Sequence, residues 1–413
     1  MNKISRHTCV VLVGVALSGK STWAHEHFNS QEILCVAQLR AELTGSSRNF
    51  TQDRWVWQEL YHRAHVRLRM GQRVVIDSTN LKREDLNHWS AVCVELGVPI
   101  QFVHMHTPEL QLLERARAQG VSEHVIRKQQ VMLNQTLQSI RHVKHIQSSW
   151  FTPDQVKVVP SDQVLPDQLL VVGDVHGDAL AMQWVINLAH TQNRHLVWLG
   201  DVVDYGAQNL ACVDMAYESV SNGEAHMIWG NHERKIDRWI HADWGSRYQG
   251  RLSDANWMTV REIEQLSVTQ NQKFASKWCA LSNWSTQHVT RGAWMMTHGA
   301  AHPSMWHTHS HRLSGEAGNM AFFGEVHDAQ PTRADGYPNR TWRWVDEVPT
   351  GHTVVVGHDY LDRVNHAPVI KQNAQGGRVI CLDTGNSKGG TLSALAVDTQ
   401  SQDYQILQYS AAG

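Results

Sequence analysis

Aspartate, asparagine and histidine recur in five short clusters through the second half of the chain: Val172-Gly173-Asp174-Val175-His176-Gly177-Asp178, Gly200-Asp201-Val202-Val203-Asp204, Gly230-Asn231-His232-Glu233, His298-Gly299 and Gly357-His358. Hard carboxylate and amide oxygens mixed with imidazoles make a donor set for a pair of divalent cations. Four of the clusters follow apolar, β-branched or aromatic runs that read as strands, so ligands delivered from strand-to-loop junctions are expected. Asp174 and His176 stand two apart, and on an extended strand end they would point the same way and grip one ion together. Asp201, closing the run Leu196 to Leu199, is the expected bridge, because two cations held close together need an anion between them. The second ion would take Asn231, His298 and His358. A water held between two such cations ionises near neutral pH and becomes a strong nucleophile. His232, beside Asn231 and not itself needed as a ligand, is the candidate to protonate the leaving oxygen. Any one cluster alone could be a capped turn; the ordered set, with 25 residues from His176 to Asp201 and 30 from Asp201 to Asn231, is specific.

A second phosphate-handling pattern lies near the start of the chain. After the strand-like run Cys9 to Val13 comes Gly14-Val15-Ala16-Leu17-Ser18-Gly19-Lys20-Ser21, with Thr22-Trp23-Ala24 opening a helix. Glycines at Gly14 and Gly19 let the backbone N–H groups, including those at Ser18 and Thr22, fold around phosphate oxygens. Lys20 reaches the β and γ phosphates and Ser21 offers a hydroxyl to magnesium. ATP and Mg2+ are the expected ligands. Downstream, Arg73 to Asn80 reads as a buried strand ending in Asp77, a carboxylate placed to orient the magnesium or its water.

The C-terminal series resembles the calcineurin-like metallophosphoesterases, which implies phosphate-ester hydrolysis over two metal ions. Manganese is the expected metal, and the same ligands suit iron, zinc or nickel. Val379 to Gly385, with Gly389 to Leu395, resembles the closing strands of the branch that contains diadenosine tetraphosphate hydrolases, bacterial protein phosphatases and the phosphatase module of bacterial polynucleotide kinase-phosphatases. That branch carries Arg where this chain has Tyr205, and the arginine binds a substrate phosphate oxygen. A phenol carries no charge and cannot make the bidentate contact; Arg234 is a candidate to compensate. At the N-terminus, Ser18 to Ala24 together with Asp77-Ser78-Thr79-Asn80-Leu81 is similar to phage and bacterial polynucleotide 5′-kinases. The resemblance implies that Leu39 to Gly45, with Arg40, binds the acceptor end, and that Arg115 and Arg117 belong to a lid over the transferring phosphate. In those kinases the base that accepts the 5′-hydroxyl proton is an Asp three residues before the arginine. Here that residue is Ala37, and positioned general-base help is worth roughly 10²- to 10⁴-fold. Asp77 and Glu42 are the conceivable substitutes.

A P-loop kinase-like half fused to this phosphatase branch is the architecture of polynucleotide kinase-phosphatases. It implies nucleic-acid ends as partners, RNA ahead of DNA. The chain ends at Gly413, soon after the last phosphatase strand, so sealing of healed ends is expected to need a separate RNA ligase. The expected fold is a two-domain α/β protein: a P-loop parallel sheet with flanking helices over 1–160, a linker over 161–167, and an α/β/β/α sandwich of calcineurin-like type over 168–413.

Composition agrees with this outline. A chain of 413 residues, 42% hydrophobic and 18% charged, holds apolar material for two cores. Its 37 Lys and Arg nearly balance 39 Asp and Glu, which excludes a generally basic nucleic-acid-coating surface. The six cysteines are scattered without a CxxC pair, as expected of reduced thiols in a cytoplasmic protein. No run reaches transmembrane length and no leader sequence is read at the start, so no membrane partner is expected. Trp55 to Leu68 has helical periodicity, with its aromatics expected in the core and Arg63, Arg67 and Arg69 on the surface. Val121 to Ile146 reads as a helical region and Val156 to Val159 as the last strand of the first domain. The tract His302, His307, His309, His311 reads as an irregular loop more readily than as a further metal site.

Overall fold

Apolar residues fill Cys9–Val13 without a break, and all five are buried. A strand buried on both faces belongs in the middle of a parallel sheet. In the computed structural model it lies there, in the order Ile33–Cys35, Val74–Asp77, Cys9–Val13, Ile100–His104, Trp150–Phe151, with every neighbouring pair parallel. Parallel pairing requires crossovers, supplied by helices such as Lys20–His27, Asp53–Arg69 and Arg83–Leu96. Alternate side chains of the central strand enter separate cores: Val11 and Val13 pack with Leu60, Ile76 and Trp89, while Val10 and Leu12 pack with Trp23, Val75 and Val103. The structure describes all residues except 141–142, 144–145, 147, 162–163, 242–251, 308–312, 328–331, 333–337 and 410–413.

One expectation for this half changes. On the helix Asp53–Arg69 the buried stripe is Val56, Leu60, Ala64 and Leu68, while Trp55 is 62% exposed. Residues four apart already fill the core face, and Trp55 falls one position off it, beside the Arg54 guanidinium. The helical region after Val121 runs as a helix over Glu123–Ile140. Val156–Val158 is the last strand of this half, as expected, and it pairs in parallel with Asn2–Ile4, outside the main sheet, whose edge beside Ile100–His104 is taken by Trp150–Phe151.

The second half builds two five-stranded sheets. The first runs Ala225–Met227, His195–Trp198, Gln168–Val172, Ser393–Asp398, Tyr404–Gln408, its first three strands parallel. The second runs His288–Arg291, Trp294–Thr297, Thr353–Val356, Arg378–Cys381, Val369–Gln372, its middle three parallel. Leu169, Val171, Val197 and Leu199 of the first sheet meet Trp294, Met296, Val355 and Ile380 of the second in one core, a face-to-face sandwich. On the second sheet's other face Met295, Val354 and Val379 pack against Met305, Met320 and Trp344. By contacts the chain divides into one unit of Met1–Gln163 with Ser221–Gly223 and Val268–Ala280, and another of Val164–Val220, Glu224–Ser267 and Leu281–Gly413. Two residues of the expected linker, 162 and 163, lie outside the described residues. No described helix is long and apolar enough to cross a membrane, and all six cysteines are free.

Candidate metal centre and nucleotide site

Each of the five clusters begins where a parallel strand of the sandwich ends: Asp174 after Gln168–Val172, Asp201 after His195–Trp198, Asn231 after Ala225–Met227, His298 after Trp294–Thr297, His358 after Thr353–Val356. The two sheets therefore deliver ligands to a common edge. The amide of His358 donates to both Asp174 oxygens at 3.0 Å. His298 Nε2 lies 2.9 Å from Asn231 Oδ1 and 3.4 Å from Asp201 Oδ1. Asp201 is the common member of two close donor groups, one with His176 and His232, the other with His298 and His358. That is the position expected of a bridging carboxylate.

One detail of the sequence reading is corrected. Asp174 and His176 do not lie on an extended strand end, because the strand stops at Val172 and His176 has φ 51°. Their donor atoms still approach, with Asp174 Oδ2 3.9 Å from His176 Nε2. Asp201 (φ 50°), Asp204 (75°), Tyr205 (63°) and His358 (67°) share this left-handed backbone. Such conformations cost non-glycine residues of order 1–3 kcal/mol each and persist where the surroundings enforce them. Gly357 and Gly230 are required by close approach, since a Cβ there would overlap Asp174 Oδ1 or Asp201 Oδ1.

The residues fit a pair of cations. His358 Nε2 and Asp383 Oδ2 are buried and have no hydrogen-bond partner among the described residues, an arrangement that is costly unless a cation completes it. His176 presents Nδ1 to the carbonyl of Val203 at 3.0 Å, leaving Nε2 for the centre. Both nitrogens of His298 face acceptors, Leu199 O at 2.9 Å and Asn231 Oδ1. Burial opposes its charge, but Asp201, Asp174 and Glu233 together outweigh burial and lift His298 to about 9. The edge thus accommodates positive charge at that nitrogen. Asp174 is pushed up by burial and by the neighbouring Asp383; His358 is pushed down by burial and by Arg340. Bound ions would supply Lewis acidity and an activated water, and Asp174, His176, Asp201, Asn231, His298 and His358 would hold them.

His232 sits inside this ring of donors. Its Nδ1 contacts Asp204 Oδ2 at 2.5 Å and its Nε2 lies 3.8 Å from Asp201 Oδ2. Asp204 is fixed in turn by Asn256 Nδ2 and by the Thr259 hydroxyl at 2.5 Å. A carboxylate on Nδ1 sets the tautomer and aims Nε2 at the centre, as proton delivery requires.

Three further residues belong here that had no assigned role in the sequence. Glu233 accepts the amides of Asp201 at 2.8 Å, Val202 at 2.7 Å and Gly230 at 3.0 Å, pinning two ligand loops together. Burial and Asp201 raise it to about 7. Asp383 adds a buried carboxylate, and the Lys388 ammonium lies 2.9 Å from His176 Nε2. Glutamate three residues after a glycine whose amide it accepts was a readable signal; the other two had none. The Arg234 guanidinium, the candidate to compensate at position 205, lies 4.6 Å from the Phe322 ring and 5.5 Å from Phe323. Of the histidine tract, His302 precedes and His307 ends a short helical turn, Pro303–His307, while His309 and His311 lie outside the described residues.

In the first unit Lys20 is folded onto its own loop, with Nζ 3.0 Å from Gly14 O and 2.7 Å from Val15 O. Burial pulls its ammonium down to about 8 against the attraction of Asp77. Gly14 has φ 156°, and a Cβ there would stand 2.8 Å from Ser18 Oγ and 2.9 Å from Met105 O. Ser21 Oγ donates to Asp77 Oδ2 at 2.7 Å, the pairing that holds magnesium in P-loop sites. A cavity of about 690 Å³ opens over Ser18 to Thr22 and is bordered by Arg115 and Gln119. Arg117 is not brought there and pairs with Glu123 at 2.6 Å. Arg40 is buried and bound by Asp53 at 2.7 Å, with the Phe50 ring 4.5 Å from its guanidinium. Asp77 is thus part of the loop site, while Arg40 is committed to Asp53.

Residues 168–368 match the calcineurin-like phosphoesterase family model, and residues 9–142 match an AAA domain model. The chain is 23% identical over 235 residues to the asymmetrical bis(5′-nucleosyl)-tetraphosphatase PrpE of Geobacillus thermodenitrificans, covering 54% of this chain and 88% of that protein. The corresponding protein of Bacillus thuringiensis is 25% identical over 243 residues, with 54% and 88% covered. A metallophosphoesterase structure from Sphaerobacter thermophilus is 16% identical with TM-score 0.33, covering 59% of this chain and 88% of its own. A cold-active protein-tyrosine phosphatase of a Shewanella species is 17% identical with TM-score 0.33, covering 60% and 83%. The chain joins a P-loop domain of AAA type to a calcineurin-like phosphoesterase domain, and it is a phosphoesterase.

Proposed function

We propose that this phosphoesterase acts on nucleic-acid ends, RNA ahead of DNA, removing 3′- or 2′,3′-cyclic phosphates over a binuclear manganese centre, with healed ends passed to a separate ligase. The observation that carries this reading is the presence in one chain of two phosphate-handling sites. One is the hydrolytic edge around Asp201; the other is the P-loop cavity, where Ser21 and Asp77 are already paired for magnesium and ATP. A hydrolase of small phosphate esters alone has no use for the second. Whether the P-loop domain transfers phosphate turns on Ala37, one helical turn before Arg40 on Val36–Thr44. A dinucleoside-polyphosphate hydrolase with an ATP-sensing domain is the second reading, favoured by the tetraphosphatases matched over 88% of their length. Phosphate release from 3′-phosphorylated RNA, dinucleoside polyphosphate and phosphopeptide, measured side by side with added manganese, separates them. Preference for the RNA supports end healing; preference for the dinucleotide sinks it. In parallel, Ala37→Asp should raise 5′-phosphorylation about tenfold if the domain is a kinase lacking its base, and leave it at zero if ATP is only a ligand.

A further inference from the structure

We propose that Lys388 grips the non-bridging oxygens of the substrate phosphate, supplying from the far end of the chain the positive charge that Tyr205 cannot. Lys388 sits in the turn that follows Arg378–Cys381, and that turn is locked to the metal centre. Asn386 Nδ2 donates at 2.6 Å to the carbonyl of Val175, the residue between Asp174 and His176. The amides of Lys388 and Gly390 both return to Gly385 O, at 2.8 and 3.0 Å. Thr384 Oγ1 closes the turn on Thr391 O at 2.5 Å. The stem of the lysine therefore starts from a fixed point beside the first ligand loop.

Its ammonium lies 2.9 Å from His176 Nε2 and 4.3 Å from the centre of the Tyr205 ring. That ring stands 4.8 Å from His176 and 5.5 Å from His232, so the lysine, a metal ligand and the proposed acid converge around position 205. Tyr205 acts here as an aromatic support for a cation. An ammonium has three protons and no acceptor capacity. When a cation occupies the lone pair of His176 Nε2, the proton now directed there is released for a phosphate oxygen. Among the described residues, Arg340 contacts Asp359 at 3.7 Å and Phe323 O at 3.0 Å, and Arg234 stacks on the faces of Phe322 and Phe323. The inference concerns the phosphoryl group common to all candidate substrates, so it holds whatever the leaving group.

The test uses the full-length, manganese-loaded chain with Lys388→Met, Lys388→Arg and the double variant Lys388→Met/Tyr205→Arg. Three quantities are read: metal per chain by elemental analysis, inorganic phosphate affinity by calorimetry, and kcat/KM on p-nitrophenyl phosphate. Lys388→Met should lose about 10- to 100-fold in phosphate affinity and in kcat/KM, the range for one charge-assisted hydrogen bond, with metal content unchanged. Lys388→Arg should stay within a few fold of wild type, and Tyr205→Arg should restore part of the loss. Unchanged phosphate affinity in Lys388→Met overturns the proposal. So does a change in metal content, which would make the lysine a competitor or a support for the ion at His176. If Lys388→Met fails to fold, wild-type phosphate affinity must still fall on replacing Lys388 with Gln, or the idea is lost.

Discussion

Proton delivery to the leaving group is the step for which the geometry makes the sharpest demand. His232 Nδ1 lies 2.5 Å from Asp204 Oδ2, and its other nitrogen faces Asp201 Oδ2 at 3.8 Å. Nucleoside alkoxides leave with a pKa far above neutrality and need a proton in the transition state; p-nitrophenolate does not. A positioned acid is worth roughly 10²- to 10⁴-fold, or about 3–5 kcal/mol of barrier. His232→Ala should therefore slow release from a 3′-phosphorylated nucleotide by that range and change p-nitrophenyl phosphate turnover by only a few fold. Asp204→Asn should cost less, about 10- to 100-fold on the nucleotide, because it disturbs the aim of His232 while leaving the ring in place. Together the two changes should cost little more than His232→Ala alone, since Asp204 acts through His232.

The same distances admit a rival role. His232 forms a close donor group with His176 and Asp201 and could be a ligand itself. A ligand's loss would lower metal content and depress both substrates together. Kinetics on the two esters, with elemental analysis of the same preparations, decide the matter. Equal losses on both leaving groups, or fewer ions per chain in His232→Ala, refute the assignment as acid.

Asp201→Ala removes the carboxylate shared by both donor groups, so metal per chain should fall below two and activity should drop by more than the ~10- to 100-fold typical of an outer partner; a variant with full metal and much residual activity would contradict the bridge. Lys20→Ala should abolish ATP binding measured by calorimetry, because the ammonium over Gly14 and Val15 is the charge available to the β and γ phosphates. His7, fully buried with its Nε2 3.1 Å from Leu68 O, is pulled by burial from 6.5 to about 4. The unfolded chain therefore binds the extra proton first, so the stabilisation is whole above pH 6.5 and is lost as pH falls toward 4, roughly 3 kcal/mol in all. In amide-exchange measurements on Cys9–Val13, His7→Leu should flatten the pH dependence across that window; an unchanged slope would show that other groups set it.

What could be read from the sequence was local, and what escaped it was not. Asp174, Asp201 and His298 announce themselves because each follows its own strand, so chain order alone assembles their edge. Lys388 meets His176 across 212 residues, and no short motif records such a contact. Glu233 stood in view inside Gly230 to Glu233, yet its hold on the amides of Asp201 and Val202 depends on a loop about thirty residues away. The left-handed backbone at His176, Asp201 and His358 was equally hidden, since these are not glycines and the surroundings impose it. The partners of Arg40 and Arg117, Asp53 and Glu123, cannot be paired from spacing. The two departures from family pattern then separate. At Tyr205 the missing charge reappears in space, with Lys388 over the ring. At Ala37 the carboxylates that could stand in are already engaged: Glu42 holds Arg63 at 2.7 Å and Asp77 accepts from Ser21 at 2.7 Å. The departure at Tyr205 thus has a cation beside it, whereas at Ala37 the two conceivable substitutes, Glu42 and Asp77, each already hold another partner.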